Sequence, residues 1–139
     1  MASFNKFQPF VENLAEKVFN LGSDTLKVLL TNSAPAAANG VKSDLTEISS
    51  GNGYTAGGAT ASISSSAQTS GTYKLVLGDV TITASGGSIG PFRYAVLYDD
   101  TAASDQLIGF WDYGSSITLA DGESITVDFD ATNGVLTLT

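Results

Sequence analysis

A chain of 139 residues and 14.3 kDa has the length of one domain and can bury roughly 68% of its unfolded surface, enough for a core without a metal or disulfide staple. Six basic and 14 acidic residues give a net charge of −8, which argues against a duplex nucleic-acid binder, since that role needs Lys and Arg to displace counterions from phosphate. With neither Cys nor His, zinc and haem ligation, thiol chemistry and a Ser-His-Asp triad fall away.

Ser, Thr and Gly number 17, 15 and 15, about a third of the chain, a mix that suits short strands and turns rather than a helical bundle. Charge is uneven along the sequence. Residues 1–42 carry a net +1 and residues 43–139 a net −9, a pattern that fits one docked and one solvent-facing surface, or simply acidic surface turns. The first 19 residues interleave Asn5, Gln8, Glu12, Asn13, Glu16 and Lys17 with apolar positions, unlike a secretory leader. No window approaches the 18 apolar residues of a membrane span, so the expectation is a soluble protein with no membrane partner.

Phe7, Phe10, Val11, Leu14 and Val18 recur at three- and four-residue steps and predict a helix over 8–20. Pro9 fits its first turn and Gly22 its stop. The period then changes to two: Leu26, Val28 and Leu30 mark a strand over 25–31. A long connection, 33–58, follows, with Pro35 and Gly at 40, 51, 53, 57 and 58; a connection of this length reads as a binding arm or lid, or as a surface excursion.

Strands then follow closely through 59–139. A weak, small-residue strand is expected over 59–66. Another spans 73–84 and changes phase at Gly78-Asp79, which implies a bulge or bend. Phe92, Tyr94, Val96 and Tyr98 alternate with Arg93, Ala95 and Leu97, so both faces are apolar, as in a doubly covered strand. Segments 107–113 and 117–119 come next. Ile125, Val127 and Phe129 then alternate with Thr126, Asp128 and Asp130, and Asn133-Gly134 reads as a hairpin turn with 135–139 as its return arm. The class is mainly β: one antiparallel β-sandwich or small barrel of about seven to eight strands over 1–139, with one N-terminal α-helix.

Catalytic chemistry finds little footing. The run Asp128 to Gly134 fails the calcium-loop pattern, with Gly at the seventh position rather than the sixth and no Glu at the twelfth. Asp99-Asp100 and Asp105 flank a hairpin tip and read as solvating charges. Asp112, between Trp111 and Tyr113, is the one acid in aromatic company, but glycoside chemistry needs a second carboxylate in a comparable setting. Gly51-Asn52-Gly53 and Gly57-Gly58 lack the Lys and following helix of a phosphate loop. No catalytic, cofactor or metal residue is assigned, and the protein is not expected to be an enzyme.

Several blocks in order, FVENLAEKVFNLGSDTLKVLLTNSAP, SGNGYTAGG, IGPFRYAVLYDDTA, LIGFWDYG and LADGESITVDFDATNGVLTLT, resemble small proteins encoded among the head genes of tailed bacteriophages. That group looks like head decoration, or cement, proteins, which bind the outside of the assembled capsid. The resemblance implies a non-enzymatic virion protein, assembled in the host cytoplasm, that binds the outer surface of the major capsid protein lattice. It also implies self-association, a trimer ahead of a dimer. On that reading the 33–58 connection and the N-terminal segment are the arms, and Phe4, Phe7, Phe10 and Tyr54 are candidate anchors, because buried aromatics carry much interface energy. The alternative is a neck, tail or fibre component in which Tyr54, Trp111 and Tyr113 face a receptor glycan or an adjacent ring.

Overall fold

The computed structural model describes residues 2–139. In chain order the elements are β1 (Asn5–Lys6), α1 (Pro9–Ala15), β2 (Leu26–Thr31), a 3-10 turn (Lys42–Asp44), β3 (Ala59–Ala61), β4 (Ile63–Thr69), β5 (Thr72–Leu77), β6 (Val80–Thr83), β7 (Ile89–Asp99), β8 (Leu107–Leu119), β9 (Ser124–Val127) and β10 (Leu136–Leu138). The protein is mainly β, antiparallel and sandwich-like, with one α-helix and no barrel closure.

One sheet has the order β1-β8-β7-β2-β3; the second layer is built from β10-β5-β4 and the pair β6-β9. The main core lies between them: Leu26, Val28, Leu30, Ala95, Leu97 and Ile108 from the first sheet meet Leu75, Leu77, Val80, Ile82 and Val127 from the second. Strand β7 is covered on both faces, as its two apolar rows require. Its Ala95 and Leu97 join the main core, while Val96 and Tyr98 join Phe7, Leu29 and Leu107 in a second cluster on the other face.

Several expectations are corrected. The helix ends at Ala15, well short of residue 20. Lys17 takes the left-handed conformation (φ 68°) and the Val18 N–H donates to the Asn13 carbonyl at 2.9 Å. That six-to-one bond over a left-handed residue is a Schellman stop, here built on Lys rather than the Gly that sequence reading looks for. The described residues form ten strands where about seven to eight were expected. The phase change at Gly78-Asp79 is a switch between sheets, since β5 pairs with β4 and β10 whereas β6 pairs with β9. Segments 107–113 and 117–119 are one strand, β8.

Asn133-Gly134 makes a turn but not a hairpin between the strands beside it. β9 pairs with β6 and β10 crosses to β5, with Val135 N–H donating to Leu75 O at 2.7 Å. The side chain of Asp130 organises that crossing by accepting from Thr132 N–H and Asn133 N–H, both at 2.8 Å.

The 33–58 connection is fastened to the first sheet and is not a free arm. Ile48 N–H donates to Leu30 O at 3.1 Å, and Leu45 packs on the second cluster. Glu47 Oε1 accepts from the Tyr54 hydroxyl and the Gly57 N–H, both at 2.6 Å, and the Tyr98 hydroxyl donates to Gly57 O. Gly58 sits where the segment runs against β2: its φ is +80°, and a Cβ there would lie 1.8 Å from Val28 O.

Candidate functional site

The abrupt helix stop shapes the main surface feature. Because the chain turns at Lys17, residues 18–24 leave the helix axis and lie beside the second layer. Phe19 returns to stack near Phe10, with ring centroids 5.3 Å apart, which pins the turn to the core. A groove of about 660 Å³ remains, walled by Leu14, Val18 and Leu21 on one side and by Tyr73 and Leu138 from β5 and β10. Lys17, Asp24, Thr101 and Ala102 complete its rim.

Val11 and Leu138 are the exposed large hydrophobic residues among those described, at 50% and 55%. Leu138 lines the groove, and Val11 lies three residues before Leu14, so the two form neighbouring positions on the helix surface.

Asp24 stands at the rim, and a second carboxyl, Asp99, is buried nearby. Asp99, the last residue of β7, is fully buried. Its Oδ1 accepts from Thr101 N–H at 2.9 Å and Ala102 N–H at 3.1 Å, which closes the turn into β8. Its Oδ2 receives no N–H or hydroxyl donor. Burial, followed by the neighbouring Asp24 carboxyl, pushes the Asp99 pKa up to about 7. The other acids nearby are engaged by cations: Asp100 with Lys27 at 3.2 Å and Asp105 with Lys42 at 3.8 Å.

The anchors proposed from sequence lie elsewhere. Phe7, Phe10 and Tyr54 are buried in the protein's own interior, at 0%, 4% and 3% exposure, and in this fold present no surface to a partner. Phe4 is half-buried, its ring 5.3 Å from that of Trp111 and seated over Gly109. Tyr54 is also separated from the Trp111 and Tyr113 surface. Its hydroxyl bonds Leu30 N–H and Glu47, and burial with that carboxylate raises its pKa well above the ordinary phenol value.

Trp111, Tyr113 and Asp128 line a smaller recess of about 210 Å³ with Ala2, Thr126 and Val127. Asp112 belongs to neither site. Arg93 makes a two-point contact with it at 2.7 and 3.0 Å, Gly114 N–H donates at 2.7 Å, and the guanidinium holds its pKa below the ordinary carboxylate value. That is the opposite of what a general acid needs.

Sequence reading missed the Asp24–Asp99 pair and the part played by Leu138. A signal for Asp99 existed, because it continues the alternation of Ala95 and Leu97 and so falls on the inward face of β7. Its nearness to Asp24, 75 residues away in sequence, follows from the β2–β7 register, in which Leu26 opposes Asp99.

No helix among the described residues is long and apolar enough to cross a membrane. Compared with protein-family models, curated proteins and solved structures, the chain matches none of them.

Proposed function

We propose that the protein is a bacteriophage virion structural protein, a capsid decoration protein that binds the outer surface of the major capsid protein lattice and stabilises the head. The observation that carries this reading is the apolar groove beside α1, with Leu138 and Val11 the large apolar side chains that stand exposed among the described residues. Apolar surface left open on an acidic protein is stabilised by covering it. Repetition over a lattice turns many modest contacts into tight retention through avidity. The ordered sequence blocks supply the virion context, and self-association as a trimer fits capsid three-fold positions.

The Trp111–Tyr113 recess supports the second reading, a neck, tail or fibre protein, since aromatic faces beside a carboxylate suit a sugar ring. Tyr54 takes no part in it.

Cryo-EM of the virion that carries this chain tests both. Density repeated over the outer capsid is expected, and density confined to the neck or tail overturns the decoration reading. Val11→Glu and Leu138→Glu, both at exposed positions, should fold normally, change stability by about 0.5 kcal/mol or less, and fail to bind undecorated capsids.

A further inference from the structure

We infer that the open edge of β4 is a self-association surface, which pairs antiparallel with β4 of a second copy of the chain and joins two β10-β5-β4 sheets into one. The inference goes beyond the virion reading and does not depend on it: this contact is two-fold, and three-fold association would use other surfaces.

A strand at a sheet margin presents unpaired N–H and C=O groups, and proteins guard such margins with charge, Pro or a very short strand. β4 has none of these guards. It runs for seven residues with the sequence ISSSAQT, and among the described residues it pairs with β5 alone. The other margins differ. β1, β3, β6, β9 and β10 are two to four residues long, and the open stretch of β8 carries Asp112 and a Gly114 at φ +88°. The irregularity in β4 lies between Ile63 and Ser65, so 65–69 is a regular ladder with a free outer side.

The hairpin fixes which groups face outward. β4 and β5 are joined by the two-residue turn Ser70-Gly71, at φ 50° and 84°, with Thr69 opposite Thr72. Such a turn bonds the residues that flank it, so Thr69 and Ala67 direct their backbone groups at β5 while Gln68 and Ser66 direct theirs away. A two-fold axis at Ala67 sets Ser66 opposite Gln68 of the second copy, and the reverse, for about four new backbone hydrogen bonds. The same axis sets the two Ala67 side chains against each other as a non-hydrogen-bonded pair.

Charge selects a second copy as the occupant. Each molecule carries −8, which opposes self-association over most of its surface. Residues 48–73 hold no charged side chain, so two copies that meet along β4 bring no like charges together there. Antiparallel pairing makes the strand its own complement. Its exposed side chains, from Ser64, Ser65, Ala67, Gln68 and Thr69, are small or polar and uncharged, and they fit cross-strand contact with their own kind. The Ser66 hydroxyl bonds the Tyr73 hydroxyl at 2.8 Å and so does not compete for the outer edge.

Sedimentation of the full chain over a concentration series up to about 1 mM, together with a site-directed crosslink, tests the pairing. A reversible dimer is expected. Gln68→Pro removes an outward N–H and leaves the β5 ladder in place, and Ala67→Lys sets two ammonium groups face to face. Each should weaken the dimer about tenfold or more. Ala67 is exposed, so the second variant keeps the test intact if the first fails to fold. The chain holds no Cys, so the thiol of Ala67→Cys can react only with that of another copy. Non-hydrogen-bonded positions stand about 4.5 Å apart at Cα, within disulfide range. On mild oxidation Ala67→Cys should therefore form a disulfide dimer about tenfold or more faster than Ser115→Cys, at an exposed position of β8. A wild type that stays monomeric throughout the series overturns the inference, as does Ala67→Cys crosslinking no faster than Ser115→Cys. A dimer or trimer that both Gln68→Pro and Ala67→Lys leave unchanged also overturns it, in favour of a different surface.

Discussion

Glu47 and Tyr54 close the long connection on itself and fasten it to the central sheet. The Tyr54 hydroxyl donates to Glu47 Oε1 at 2.6 Å and accepts the Leu30 N–H at 3.0 Å. The second bond is unusual in position, because Leu30 is a fully buried residue of β2. A side chain arriving from the connection therefore serves a backbone donor that has no access to water.

Tyr54→Phe removes that acceptor and leaves a buried N–H unpaired, while Glu47 Oε1 keeps only its bond from Gly57 N–H. The expected loss is about 1–3 kcal/mol, read from the urea unfolding midpoint at constant slope. Because the hydroxyl is one of several ties on the segment, the variant should stay folded at room temperature. An unchanged midpoint would show that water reaches Leu30 N–H and that the connection is looser than its bonds suggest.

Gly109 and Phe4 are coupled through space that one of them vacates. A Cβ on Gly109 would lie 2.0 Å from the Phe4 ring, but the ring belongs to a half-buried terminal segment and can leave. Gly109→Ala should therefore cost about what Phe4→Ala costs, on the order of 1–3 kcal/mol, by ejecting the ring from its seat against Trp111. In the Phe4→Ala background the same change should cost much less. A double-mutant cycle by chemical denaturation reads the coupling, and additive effects would refute the shared seat.

Much of the architecture was legible because the period-two pattern is strong where one face is buried. The rows Phe92 to Tyr98 and Ile125 to Phe129 marked β7 and the region of β9, and the two apolar faces of β7 implied cover on both sides. What could not be read was pairing. Asn133-Gly134 has the residues of a hairpin turn, yet the choice of β5 over β9 as partner of β10 is made by Leu136 opposing Leu75, a long-range relation with no local signature. The burial of three of the four candidate anchors was hidden for a related reason. Phe7, Phe10 and Tyr54 are apolar and aromatic whether they serve a core or an interface, and the protein's own sheets reach them first. The exposed groove arises from Leu138, Tyr73 and the 14–21 segment, which meet only in three dimensions.

The helix stop offers a gain of stability. Lys17 holds φ 68° with a Cβ that opposes it, while its side chain is exposed and forms no ion pair among the described residues. Lys17→Gly should raise stability by about 1 kcal/mol or less, the relief of left-handed strain less the added freedom of the unfolded chain. Lys17→Ala, which keeps the strain, should give no such gain. Thermal melts of the two variants side by side distinguish relief of strain from removal of a charge.

The pH dependence of stability combines two opposed sets of carboxylates. Asp44, held by Gly40 and Val41 N–H, Asp112, held by Arg93, and Asp130, held by Asn133 and Thr132, all have pKa values below the ordinary 3.8. Their folded forms bind protons less tightly than the unfolded chain, so their contribution is complete above that value and is lost as pH falls below it. Asp99 has the opposite sign. Its folded pKa, pushed up to about 7, makes its contribution complete below 3.8 and progressively lost as pH rises toward 7. Asp44 is exposed and Asp112 and Asp130 are only partly covered, so solvent screens all three and their limb should be shallow. A plot of Tm against pH should therefore peak near pH 4, fall by several degrees up to about pH 7, and level off beyond it. Asp99→Asn should flatten the descending limb and leave the acid limb in place. A Tm that instead climbs steadily from pH 4 to pH 7 in the wild type would mean that Asp99 ionises freely in the folded protein.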